Sequence, residues 1–241
     1  MTFKDLQKAV QSQQSGLTAE LSTIPKDLPF WIFDKEQHRL EDIRTKGQCC
    51  FWHYIKPPQK DGRDMPVLPY QKTLYEVLQS HKHIWCLKSR GIGVTTFLLR
   101  YIAWSCLAHF VPNDRVCIIT GPRIDLSEDL IARFKGLFSK SEQFAIDRTQ
   151  STVAFLNGVK VEAFPSHHVD TMRGLDNVRF ILSDESDMYP LFQQREVRAV
   201  MEGYIGKPNS NPSIVLVSTP NRPGGLMQTI ELEPDSLYHR L

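Results

Sequence analysis

Ile84-Trp85-Cys86-Leu87-Lys88-Ser89-Arg90-Gly91-Ile92-Gly93-Val94-Thr95-Thr96 is the stretch on which the fold turns. The apolar run at 83–87 reads as a buried strand, and two glycines in the next six residues break it. From 95 to 110 the chain is again apolar, now at helical length. A strand, a glycine loop and a helix in this order can cradle phosphates. Backbone N–H groups of the loop and helix start face the anion, a lysine neutralises charge, and a hydroxyl holds Mg²⁺. Gly93 and Thr95 stand where such a loop has its last glycine and its hydroxyl. Lys88 replaces the expected first glycine and Val94 the expected lysine, so a plain strand-to-helix turn is an equally ordinary reading of this segment alone.

Outward from the loop, short apolar runs alternate with helical patterns. Helices are expected at 69–80, 95–110, 125–138 and 191–204, and strands at 83–87, 115–120, 178–183 and 213–217. Asn157-Gly158 favours the type I′ turn of a hairpin. Strands alternating with helices imply an α/β fold whose mainly parallel sheet is covered on both faces. Upstream, Phe3, Leu6 and Val10 share a helical face before Pro25 and Pro29 break the pattern, so residues 1–48 read as an N-terminal helical arm. The aromatic and then turn-rich segment from about Cys49 to Asp64 reads as a strand entering a loop, and 49–241 as the domain that carries the chemistry.

Two further strand ends bear functional groups. Val178 to Ser183 leads into Asp184-Glu185. Adjacent carboxylates at a strand tip lie at the phosphate edge of such a sheet, where the first can support Mg²⁺ and the second can polarise an attacking water. Acidic pairs also occur there as solvated loop starts or helix caps. Val215 to Val217 ends in Ser218-Thr219-Pro220-Asn221, small polar groups able to sense a bound phosphate, or simply a turn. The order and spacing carry more than any single member. The acidic pair follows the loop by about 90 residues, and the hydroxyl tip follows that by about 34.

Together these motifs resemble the ATPase domain of terminase large subunits, the motors of viral DNA packaging. Ser89-Arg90-Gly91-Ile92-Gly93-Val94-Thr95-Thr96 is similar to that family's phosphate loop, Asp184-Glu185 to its acidic pair, and Ser218-Thr219-Pro220-Asn221 to its coupling motif. Pro69-Tyr70-Gln71 resembles its adenine-recognising glutamine segment and Arg173-Gly174 another recurring feature, so the resemblance covers roughly 66–225. It implies a RecA-like P-loop NTPase of the additional-strand class, preceded by the arm. The nucleotide site would comprise Gln71 and Lys88 to Thr96, with Mg²⁺ held by Thr95 and Asp184, and Glu185 as the catalytic carboxylate. Ser218, Thr219 and Asn221 would couple hydrolysis to movement. Some terminases carry the lysine at the loop start, which makes Lys88 the phosphate-binding cation; Arg90 is the alternative. Arg173 and Arg123 are further arginine candidates.

The implied partners are ATP, Mg²⁺, double-stranded DNA, a portal protein, a small terminase subunit and copies of the same chain in a ring. The implied place is the host cytoplasm and, transiently, the procapsid. Large subunits usually continue into an RNase H-like nuclease domain; with 241 residues the chain is expected to represent the ATPase half and to lack nuclease activity. Two other readings are a superfamily 2 helicase, given Gln71 and the Asp184-Glu185-Ser186-Asp187 box, and a non-hydrolysing nucleotide- or DNA-binding scaffold, given Val94.

Composition bounds the rest. With 41% hydrophobic residues and a net charge of +2 the chain suits a water-soluble core and neither requires nor excludes nucleic acid. The N-terminus lacks a secretory apolar core, and Arg100 interrupts the longest apolar stretch, so no membrane span is expected. Five cysteines suit reduced thiols. Cys49, Cys50 and His53 lack a second ligand pair for zinc, and His167-His168 with Asp170 reads as a surface loop.

Overall fold

The structure, a computed structural model, describes residues 51, 59–60, 63–64, 67–138, 150–221 and 223–241. The arm expected at 1–48 and the Cys49-Cys50-His53 group lie outside the described residues. Seven strands form one sheet: β1 His83–Leu87, β2 Arg115–Thr120, β3 Val153–Leu156, β4 Val159–Pro165, β5 Val178–Asp184, β6 Ser213–Ser218 and β7 His239–Arg240. Their spatial order is β3-β4-β2-β5-β6-β1-β7. All neighbours pair in parallel except β3 with β4, the hairpin at Asn157-Gly158. Asn157 (φ 55) and Gly158 (φ 74) both adopt the left-handed conformation that a type I′ turn requires. Gln59–Lys60 and Arg63–Asp64 make a separate two-stranded ribbon.

Among the described residues five α-helices cover the sheet: α1 Pro69–Ser80, α2 Val94–Ala108, α3 Ile124–Lys135, α4 Leu191–Glu202 and α5 Leu226–Leu232. Pro69 starts α1 with its preset φ and no N–H to strand, and the Gln71 side chain accepts from Leu68 N at 3.0 Å. The helices expected at 95–110 and 125–138 stop earlier, at Ala108 and Lys135, the second where Gly136 caps the chain.

Strand alternation divides the core in two. Ile84, Cys86, Val116, Ile118, Phe180, Leu182, Val215 and Val217 meet the α1, α2 and α3 side, where Leu74, Phe97, Ile102, Ile131 and Phe134 are buried. Trp85, Cys117, Ile119, Ile181, Ile214 and Leu216 meet the other layer, with Val197 and Met201 of α4 and Met227 and Ile230 of α5. Cys86, Cys106 and Cys117 are buried free thiols, and burial raises the Cys86 thiol to about 11, against the pull of Lys88. With both faces covered, the sheet offers chemistry only at its edges and ends. β1, β6 and β5 lie side by side and parallel, so their C-terminal ends bring residues 88, 218 and 184–185 to one place. Because β6 separates the loop strand β1 from the acidic strand β5, the sheet has the extra strand that the sequence resemblance implies. Among the described residues no helix is long and apolar enough to cross a membrane.

Candidate active site

Lys88 leaves the end of β1 with its backbone N–H bonded to Ser218 O at 3.0 Å, which ties the loop start to β6. Residues 89–93 are exposed and form the arch that links the end of β1 to α2. Gly91 (φ +78) and Gly93 (φ +84) are left-handed, a conformation that costs glycine nothing and side-chain-bearing residues more. The Tyr70 hydroxyl of α1 donates to Ile92 O, bracing the arch, and a Cβ on Gly93 would lie 3.7 Å from that hydroxyl. Gly93 is the N-cap of α2 and offers no side-chain cap. The helix therefore presents free N–H groups and its positive dipole end to the space under the loop.

Two cross-site contacts join loop and acids. Thr95 Oγ1 donates to Asp184 Oδ1 at 2.9 Å, and Lys88 Nζ forms an ion pair with Glu185 Oε1. Desolvation pushes the Asp184 carboxyl above the usual carboxylate range; the Thr95 bond and the Lys88 charge oppose that rise. A divalent cation at this carboxylate would favour its ionised form. Glu185 adopts a left-handed backbone (φ 56, ψ 42), unusual outside glycine and typical of residues whose surroundings hold a strained position. Its Oε2 accepts from Thr219 N at 3.3 Å, so one carboxylate touches both the loop lysine and the hydroxyl tip of β6.

The hydroxyl tip is bound to the acidic turn through Asp187. Ser218 Oγ accepts from Asp187 N at 3.1 Å, while the Asp187 carboxylate accepts from Asn221 N at 2.8 Å and Met227 N at 3.2 Å. Asn221 Nδ2 also donates to Asp187 O at 3.2 Å. Gln194 of α4 donates to the carbonyls of Asp187 and Tyr189 and accepts from Leu226 N at 2.7 Å. Tyr189 donates to Asp184 O at 2.7 Å. Thr219 Oγ1, next to Glu185, is a buried hydroxyl without a hydrogen-bond partner among the described residues.

Lys88, Thr95, Asp184, Glu185, Ser218 and Thr219 are thus gathered by direct contacts. Gln71 is buried, with Oε1 capping its own helix and Nε2 3.3 Å from the Tyr70 hydroxyl, so it reaches the loop only through Tyr70. The Val94 side chain is 3% exposed and packs in the core, leaving only its backbone to the cradle. Arg90 is exposed. Arg123 pairs with Asp125 and Arg173 with Asp170, all at the surface, and none of these bonds reaches the acids of the site. His167 and His168 are exposed, and among the described residues no cluster suited to a metal is formed by histidine, cysteine and carboxylate side chains alone. Sequence reading missed Gln194 and Arg133, the latter donating from α3 to Thr96 Oγ1 at 3.0 Å. Neither has a local signature; Asp187 was visible only as the end of an acidic box.

No family model and no curated protein matches the sequence. Among solved structures, the chain is similar to the large terminase of bacteriophage HK97, with a TM-score of 0.55 at 17% identity over 71% of this chain and 37% of that one. It is also similar to the large terminase of a thermophilic bacteriophage, with a TM-score of 0.56 at 13% identity over 73% and 45%. The chain spans less than half the length of either. At these identities the likeness is one of fold, and the chain shares the fold of part of the phage large terminases.

Proposed function

We propose that this chain is the ATP-hydrolysing motor region of a terminase large subunit and drives double-stranded DNA into a procapsid. The observation that carries the reading is the meeting of Lys88 with Glu185 and of Thr95 with Asp184 under a glycine arch at a helix start. The donor set fits Mg·ATP. Thr95 and Asp184 would hold the metal, while the N–H groups of the arch and of α2 would hold phosphate oxygens. Bound Mg·ATP supplies the transferable phosphoryl group. Glu185 orients and polarises the attacking water, with Thr219 N and Lys88 fixing the carboxylate that does so. Lys88, with Arg90 as the alternative, stabilises the charge that develops on the phosphoryl oxygens. Ser218, Thr219 and Asn221, bound to the acidic turn through Asp187 and Glu185, would relay the state of the site to the chain beyond β6.

This terminase reading, which rests on the fold shared with the two phage large terminases, implies double-stranded DNA, a portal protein, a small terminase subunit and a ring of copies as partners, and the infected host's cytoplasm as the place of action. The test is steady-state phosphate release from ATP by the full-length protein with DNA and portal, with and without Mg²⁺. Mg²⁺-dependent release is expected, and nucleotide binding without any release would favour the non-hydrolysing scaffold.

A further inference from the structure

The proposed cradle is short of positive charge at one end. Lys88 is engaged by Glu185, on the side of the site where Thr219 also holds that carboxylate. Val94, where the common loop has its lysine, is buried in the core. Around the first turn of α2 a different cation is present. Arg133, in the last turn of α3, donates Nη2 to Thr96 Oγ1 at 3.0 Å. Thr96 follows Thr95, whose hydroxyl meets Asp184, so the guanidinium stands one residue from the contact that would hold the metal. Leu130, Ile131 and Phe134 anchor α3 in the core, and Arg133 is exposed beside them. Its base is fixed and its head is accessible.

In a strand–loop–helix cradle, the backbone N–H groups of the loop serve the α- and β-phosphates, while the lysine serves the β- and γ-phosphates. A guanidinium carries five N–H donors in a planar fork that matches phosphate oxygens, and only one nitrogen of Arg133 is committed to Thr96. Resting on the nucleotide-site reading above, we propose that Arg133 binds the α/β-phosphate end of the nucleotide, leaving Lys88 to the end where the phosphoryl group departs.

The division has a kinetic consequence. Contacts with the α-phosphate, and with β-phosphate oxygens away from the bridge that breaks, change little between ground and transition states, so they chiefly lower KM and raise kcat little. Because ADP carries both groups, it is the probe. In full-length protein with Mg²⁺, Arg133→Ala should weaken ADP binding about tenfold, the loss of roughly one charge-assisted bond. The KM for ATP should rise by a similar factor, with kcat within about twofold of wild type. Arg133→Lys should recover part of the affinity. Arg133→Gln keeps a donor for Thr96 and removes the charge, so it should behave like the alanine variant and guards against misfolding of the latter. ADP affinity at the wild-type value in folded Arg133→Gln would overturn the proposal, reducing Arg133 to a tie between α3 and α2. A fall in kcat at unchanged ADP affinity would overturn it too. Absence of ADP binding by the wild-type protein would instead sink the nucleotide reading itself, and that is seen before any variant is made.

Discussion

Glu185 joins the loop to the hydroxyl tip, bonded to Lys88 and to Thr219 from a left-handed backbone. Glu185→Gln keeps the shape and Asp184 but removes the base, so kcat should fall by about 10²- to 10⁴-fold while ATP affinity survives or improves, because Lys88 is freed for phosphate. Stopped-turnover binding of a labelled nucleotide separates the two effects; normal turnover in this variant removes Glu185 from catalysis. Lys88→Ala should cost about 10²-fold in kcat if Lys88 stabilises the departing phosphoryl group. Arg90→Ala, at an exposed position, should change kcat by less than about threefold. Reversal of that order would transfer the role to Arg90. Thr95→Ala removes the donor of a 2.9 Å bond and Asp184→Asn the charge of its acceptor, at one shared metal site, so their effects on Mg²⁺-dependent nucleotide affinity should be less than additive, as a double-mutant cycle would record.

Between elements, the acidic turn after β5 and the loop after β6 behave as one piece because Asp187 and Gln194 bolt them together and to α5. Gly225 completes the bolt: a Cβ there would overlap Asp187 Oδ1. Gly225→Ala should therefore dislodge a buried carboxylate from its N–H donors and cost about 2–3 kcal/mol in denaturant unfolding. Turnover should fall more than nucleotide affinity, since the hydroxyl tip moves and the arch does not. A second tie joins α4 to α5, where Arg198 donates to Glu233 at 2.5 and 2.8 Å and to Glu202 at 2.7 Å. Arg198 holds the Glu233 carboxyl below its usual range, so its contribution is present above the unfolded-state pKa and is lost as pH falls through the lower folded value. Arg198→Met should cost about 1 kcal/mol at neutral pH, the pair being partly solvated, and much less at pH values below that folded value. The strands and the longer helices were legible because their apolar period is local. β7 was not, being a two-residue edge pair held by backbone bonds, nor was α5, whose seven residues carry little periodicity. In the site, the loop, the acidic pair and the hydroxyl tip could be read from strand ends. Gln194 and Arg133 act across 32 and 37 positions of sequence, through partners that no spacing rule anticipates.

At the scale of the molecule, the candidate site lies where three parallel strands end, so a ligand there would touch β1, α2, β5 and β6 at once. A ligand that binds only the folded form stabilises it by mass action, about 2.7 kcal/mol at a hundredfold excess over Kd. For a chain of this size each kcal/mol moves the melting midpoint by about 2–4 °C, so saturating Mg·ATP should raise it by about 5–10 °C. Glu185→Gln is the form to melt, since it should hold ATP without consuming it. Chelation of Mg²⁺ should remove most of the shift, because nucleotide phosphates would then face the Asp184 carboxylate without a metal ion between them. Thr95→Ala should reduce the shift in the presence of Mg²⁺ and change little in its absence, since the hydroxyl's proposed role is to the metal. A shift of equal size with and without Mg²⁺, or one that Thr95→Ala leaves intact, would place the nucleotide away from the Thr95–Asp184 contact.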